Sequence, residues 1–212
     1  MSAAIASALY AIYRQEVRSE FLHPVLGPLQ SGPGRRPEVD FAVISNYPEV
    51  SCVLESKWVG TTPIRIEDVL WDLLRLELIA HKTKASAFFL LAGKRKHLKS
   101  FFESRSFQGR RTVAGKYRAT ILKMQPQPRL RVSGAEEERK ELFRKVLAPY
   151  QNISFPSMLS TSVGRIYPKD CPMFQYQACV WHVIAPAGTP RFFPKDHRFY
   201  GNRPSIEAKD LV

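Results

Sequence analysis

The sequence predicts an α/β fold with a central mixed β-sheet flanked by helices. Three stretches point there. Two short runs rich in β-branched and aromatic residues, "DFAVIS" and "SCVLESKW", are joined by the turn-like "NYPE". "TPIRIEDVLWDLLRLELIAHK" carries an apolar stripe at helical spacing, and "KASAFFLLAGK" is short and bounded like a buried strand. A composition of 44% hydrophobic and 24% charged residues belongs to a chain that folds. Its 212 residues suit one sizeable core with an extension, which we place at 1–131 for the core and 132–212 for a C-terminal α+β extension packed on it.

In chain order, "MSAAIASALYAIYRQEVRSE" comes first. At roughly 100° per residue, Ile5, Leu9, Ile12 and Tyr13 form one stripe. Glu16 and Glu20 fall on the same stripe, so the spacing predicts a single helix that carries two carboxylates toward the core. No positive charge precedes the apolar residues as it would in a secretory leader. "GPLQSGPGRRP" follows as a Gly/Pro-rich loop, then an antiparallel hairpin between Asp40 and Trp58. The second helix begins near Glu67 and Asp68, which suit the positive end of its dipole, and a strand runs from Lys84 to Lys94. Beyond it, "KHLKSFFESR" reads as a basic helix, "KYRATILKM" as a strand, "GAEEERKELFRKVLAPY" as a helix closed before Pro149, and "FQYQACVWHVIAP" as a strand.

The formal charge of +13 predicts attraction to polyanions. From Lys94 to Arg131 there are twelve Lys or Arg residues against a single acid, Glu103, so the basic footprint lies in the middle of the chain. Lys94, Arg95, Lys96, Arg110 and Arg111 are the expected phosphate contacts. No apolar run reaches the roughly 18–20 residues that span a bilayer, which argues against a membrane partner. Cys52, Cys171 and Cys179 form neither an even framework nor a Cys-x-x-Cys pair, and this points to a reducing cytoplasm. With His182 and His197 the last two match no zinc-ligand spacing.

The hairpin carries the chemistry. Residues two apart in a strand share a face, so Glu55 and Lys57 point the same way. A turn centred between Tyr47 and Pro48 sets Asp40 opposite Glu55, with Cβ atoms roughly 4.5–5.5 Å apart. Two facing carboxylates repel, and a divalent cation relieves that repulsion. Mg²⁺, with Mn²⁺ as a substitute, favours one or two carboxylates, carbonyl oxygens, water and substrate phosphate. Asp40, Glu55 and the main-chain carbonyl of Ser56 supply such ligands, Lys57 stands beside them to orient or deprotonate water, and Glu16, with Glu20 second, is a further acid. On the second helix Glu77 lies on the apolar stripe, placed either to reach the site or to pair with a basic side chain. Arg75 falls near Asp68 and Asp72, where it suits intrahelical bridging.

Asp40, then Glu55-Ser56-Lys57 on the second strand of a hairpin preceded by a Glu-bearing helix, resembles the PD-(D/E)XK nuclease superfamily of restriction-endonuclease-like proteins. Pro37 stands three residues before Asp40 instead of next to it. The resemblance covers about residues 5–95 and implies an α-β-β-β-α-β core whose first strand is very short or lies within 22–36. It also implies Mg²⁺-dependent cleavage of phosphodiester bonds, foremost in DNA, with Asp40 and Glu55 as metal ligands, Lys57 as the catalytic lysine and the helix glutamate as an auxiliary ligand. The rival expectation is a non-catalytic nucleic-acid-binding or assembly protein on the same fold. A homodimer or a larger protein complex is compatible with either.

Overall fold

The computed structural model describes residues 2–30, 36–103, 129–133 and 137–201. Helix α1 (Ser2–Tyr13) ends sooner than its periodicity predicts; a 3-10 turn (Arg14–Glu16) and strand β1 (Val17–Phe21) follow it. The single helix reaching Glu20 is therefore corrected, and so is the placement of a first strand within 22–36. Val17 and Phe21, the two buried residues of β1, are four apart, a spacing that a helix face and a strand face share. Antiparallel pairing with β2, Val17 against Val43 and Phe21 against Val39, selects the strand.

Strands β2 (Val39–Asn46) and β3 (Glu49–Val59) form the expected antiparallel hairpin around a turn at Tyr47 and Pro48. Helix α2 (Ile66–Thr83) crosses over to β4 (Ser86–Lys94), which runs parallel to β3. Lys84 closes α2 with φ 65°, its N–H donating to the Ala80 carbonyl. Gly93 lets β4 approach β3: a Cβ there would sit 2.3 Å from the Val59 carbonyl oxygen.

Next come α3 (Arg95–Glu103), β5 (Arg129–Arg131), α4 (Glu137–Leu147), β6 (Phe155–Pro156), β7 (Met158–Tyr167), β8 (Tyr176–Ile184) and β9 (Arg191–Phe192). The main sheet has seven strands in the order β1-β2-β3-β4-β8-β7-β5, mixed because β3–β4 is its parallel pair, and β6 with β9 forms a small second sheet. The C-terminal third thus extends the same sheet through β8 and β7. "KYRATILKM" lies outside the described residues.

α2 is the centre of the core. Leu70, Leu73, Leu74 and Ile79 are buried with Phe89 of β4 and Trp181 of β8, each contributing roughly 1.5–3 kcal/mol by area burial. Asp72, Arg75 and Glu77 of α2 are buried too, Asp72 and Arg75 against β3 and Glu77 against Arg191 of the C-terminal part. On β4, Ala87, Phe89 and Leu91 are buried on the α2 side, while Phe88, Leu90 and Ala92 on the reverse side are half-buried. Cys179 and His182 alternate onto opposite faces of β8, and no zinc grouping forms among the described residues. No helix among them is long and apolar enough to cross a membrane.

Candidate active site

Strand register builds the site. Phe41 pairs with Leu54 and Ala42 with Val53, so the same register continued by one residue sets Asp40 against Glu55. On the other side of β2, Ser19 pairs with Phe41 and Phe21 with Val39, which brackets Glu20 opposite Asp40. Asp40 and Glu55 thus form a cross-strand pair, and Glu20, whose φ of 49° interrupts the regular alternation of β1, joins them from the neighbouring strand. They line a cavity of about 260 Å³ together with Arg36, Pro37, Glu38, Val39, Lys57 and Arg75.

Hydrogen bonds fix the two central acids differently. Asp40 Oδ2 accepts from the Ser56 backbone N–H at 2.8 Å and from its hydroxyl at 2.7 Å. Ser56 therefore acts through its donors, which orient the Asp40 carboxylate, and among the described residues no donor contacts Oδ1. Glu55 is 1% exposed, and its Oε1 lies 2.7 Å from Arg75 Nη2 but off the hydrogen-bond line.

α2 completes the network with two residues that the sequence reading set aside. Arg75 meets Asp72 Oδ1 at 2.5 Å, as intrahelical bridging predicts, but it also reaches Glu55 and donates to the Glu38 carbonyl at 2.5 Å. Asp68 pairs instead with Arg65. Asp72, 2% exposed, holds Lys57 Nζ at 2.8 Å. The available signal was an acid and a base three apart, Asp72 and Arg75, inside "VLWDLLRLELIA", whose only other charged residue is Glu77.

Burial, and then the charge of Asp72, push the Glu55 carboxyl up to about 8, with Arg75 opposing. Burial pulls the Lys57 ammonium down, but Asp72's charge and hydrogen bond, with Glu55 and Asp40 adding, outweigh it and leave the lysine above its ordinary value. Lys57 is thus a cation in this state and not a base. With Glu20, Glu38, Asp40 and Glu55 against Arg36, Lys57 and Arg75, and Asp72 behind them, acids outnumber bases in the site by two, within a chain of net +13.

The remaining expected residues lie elsewhere. Glu16 is exposed on the 3-10 turn after α1 and does not line the cavity, because the helix that would have carried it to the core ends at Tyr13. Glu77 is buried against Arg191 through contacts of 2.7 and 3.2 Å, so of its two expected roles it takes the pairing one. Lys94 ends β4, Arg95 and Lys96 begin α3, and Arg95 Nη1 donates to the Cys171 carbonyl. Arg110 and Arg111 lie outside the described residues. A larger cavity of about 940 Å³ between the β3–α2 connection, α3 and α4 mixes apolar groups such as Ile64, Phe101 and Leu142 with Glu67, His97 and Lys145, and lacks facing carboxylates on paired strands.

As a metal site the cluster is partial. Among the described residues no three His, Cys, Asp or Glu side chains converge as a complete cage. Asp40, whose Oδ1 has no donor against it among the described residues, suits a hard divalent ion that keeps water or phosphate in its remaining positions, whereas Glu55 would join it only by giving up its proton and sharing the carboxylate with Arg75. No family model, no curated protein and no solved structure matches this chain.

Proposed function

We propose that the protein is a Mg²⁺-dependent nuclease that hydrolyses phosphodiester bonds, foremost of DNA, on a restriction-endonuclease-like core. The observation that carries this reading is the convergence of Asp40, Glu55 and Lys57 on one acidic cavity in a strongly basic chain. The order α1-β1-β2-β3-α2-β4 supports it, since it runs α-β-β-β-α-β with the two acids on the second and third strands.

Asp40 and Glu55 would hold the ion, and Glu20 replaces Glu16 as the auxiliary acid. Mg²⁺, when bound, supplies Lewis-acid polarisation of the phosphoryl group. The chain's own residues position and balance charge. Ser56 keeps Asp40 turned toward the cavity. Lys57 has three N–H donors, so it can keep Asp72 and still present a donor to a phosphoryl oxygen. Such a donor acts where negative charge builds in the transition state. Arg75 ties β3 to α2 and would balance the Glu55 charge once that carboxyl has given up its proton.

The same network favours a second reading, a non-catalytic nucleic-acid-binding protein, because Lys57 and Arg75 already compensate Asp72 and Glu55 without any ion. Incubation of DNA with the protein and Mg²⁺ or Mn²⁺ separates them. Cleavage abolished by Lys57→Ala, with nucleic-acid binding retained, supports the nuclease. Cleavage persisting in both Asp40→Ala and Lys57→Ala proteins rejects this mechanism, and absence of cleavage with any divalent ion leaves the binding protein.

A further inference from the structure

On the sheet face turned away from α2, register aligns Trp58 of β3, Ala92 of β4, Ala178 of β8 and Tyr167 of β7 in one row. Paired residues share a face, so the row has a ring at each end and two methyl groups as its floor. In the next row Lys94 stands opposite Tyr176, whose ring lies 5.4 Å from that of Trp58. The turn before β8 adds Phe174, with the Lys96 ammonium 5.5 Å from its ring centroid.

These rings are exposed to an unusual degree: Trp58 46%, Tyr176 59%, Phe174 72% and Tyr167 79%. On the α2 side of the same sheet Phe89 and Trp181 are fully buried at 0%, and on the platform's own face Phe88 is half-buried in a stack with His182. Four large rings left in water at one end of one sheet face mark an interaction surface. The charge around them is one-sided, with Lys94, Arg95, Lys96 and Lys169 against Asp170.

We propose that this end of the sheet is a stacking platform for the unpaired bases of a single-stranded nucleic acid, with Lys94 and Lys96 taking its phosphates. Rings offer their faces to any base, which makes such binding tolerant of sequence, while cations beside them follow the backbone. Trp58 and Tyr167 stand three strand spacings apart, roughly 14–15 Å, and Ala92 and Ala178 leave the space between them low enough for bases to lie flat. A duplex hides its base faces and gains nothing from the rings. A second copy of this chain would bring the same lysines against one another across a two-fold axis.

The platform does not rest on the metal site. Lys57 and Trp58 are neighbours in β3 but point to opposite faces, so each surface can be altered while the other is kept. The full chain in EDTA is titrated against a labelled oligothymidylate of about 12 nucleotides, within the site sizes such platforms cover, and against a duplex of equal length, by fluorescence anisotropy. The single strand should bind tighter and quench tryptophan emission. Trp58→Ala and Tyr176→Ala should each weaken it by roughly ten-fold, whereas Trp58→Phe and Tyr176→Phe should restore most of the affinity. Lys94→Ala should lower the slope of log K against log salt by about 0.7. Glu16→Ala, outside both surfaces, should leave binding unchanged, and because binding is read in EDTA and cleavage with Mg²⁺, loss of cleavage and loss of the platform are read separately. Equal affinity for duplex and single strand overturns the proposal, as does undiminished binding in both alanine variants. Loss in those variants of binding to phosphatidylserine vesicles, or of self-association, with oligothymidylate affinity intact would assign the rings to a membrane or to a second copy instead.

Discussion

Lys57 Nζ lies 2.8 Å from Asp72 Oδ2, and this contact joins the central hairpin to the central helix. It also decides the chemistry open to Lys57, because a lysine facing a buried carboxylate stays charged. Asp72 is shared with Arg75, so its removal strands two cations at once. Asp72→Ala should therefore destabilise the protein by about 3–5 kcal/mol in urea unfolding. Asp72→Asn, which keeps the shape, should lose less stability but still lower cleavage at least about ten-fold.

Glu55 gives the fold a pH dependence of defined sign. Its folded pKa is raised to about 8 by burial first, so the folded state holds this proton more tightly than the unfolded chain. The associated stability is fully present below the ordinary glutamate range and is lost as pH rises toward and through about 8. Urea unfolding across that interval should show the wild type losing more than about 1 kcal/mol relative to Glu55→Gln, whose amide does not titrate. Parallel pH profiles for the two proteins would contradict this.

A divalent ion must displace that same proton. Calorimetric titration with Mn²⁺ should accordingly show binding that tightens, and releases fewer protons, as pH rises through about 8. Asp40→Ala should abolish the binding, Glu20→Ala should weaken it, and Glu16→Ala should leave it intact, since Glu16 does not line the cavity. Equal effects at Glu16 and Glu20 would sink the assignment of the auxiliary acid.

Glu77 and Arg191 form a separate buried pair that ties α2 to β9. Arg191→Ala leaves Glu77 uncompensated at 1% exposure and should cost about 3–5 kcal/mol of stability. Cleavage by the folded fraction should not change. A variant of normal stability with impaired cleavage would instead return Glu77 to the active site.

The hairpin was legible in the sequence because its information is local. Alternation places Glu55 and Lys57 on one face, and the Tyr47-Pro48 turn sets the register that brings Asp40 opposite Glu55. α2, β4, α3, α4 and β8 were legible from local signals too, α2 from its apolar spacing and β4 from the shortness of its bounded apolar run. Residues 17–21 were not, because their two buried side chains are four apart and satisfy both periods.

The sequence by itself determined a basic α/β chain with a carboxylate pair and a lysine on one hairpin face. Tertiary structure alone decided that Glu20 and not Glu16 joins them, since pairing of β1 with β2 is a contact between distant segments. It decided the partners of Asp72, Arg75 and Glu77 in the same way. A helical wheel gives the direction of a side chain but not what is packed there, and here β3, the Glu38 carbonyl and Arg191 occupy those directions.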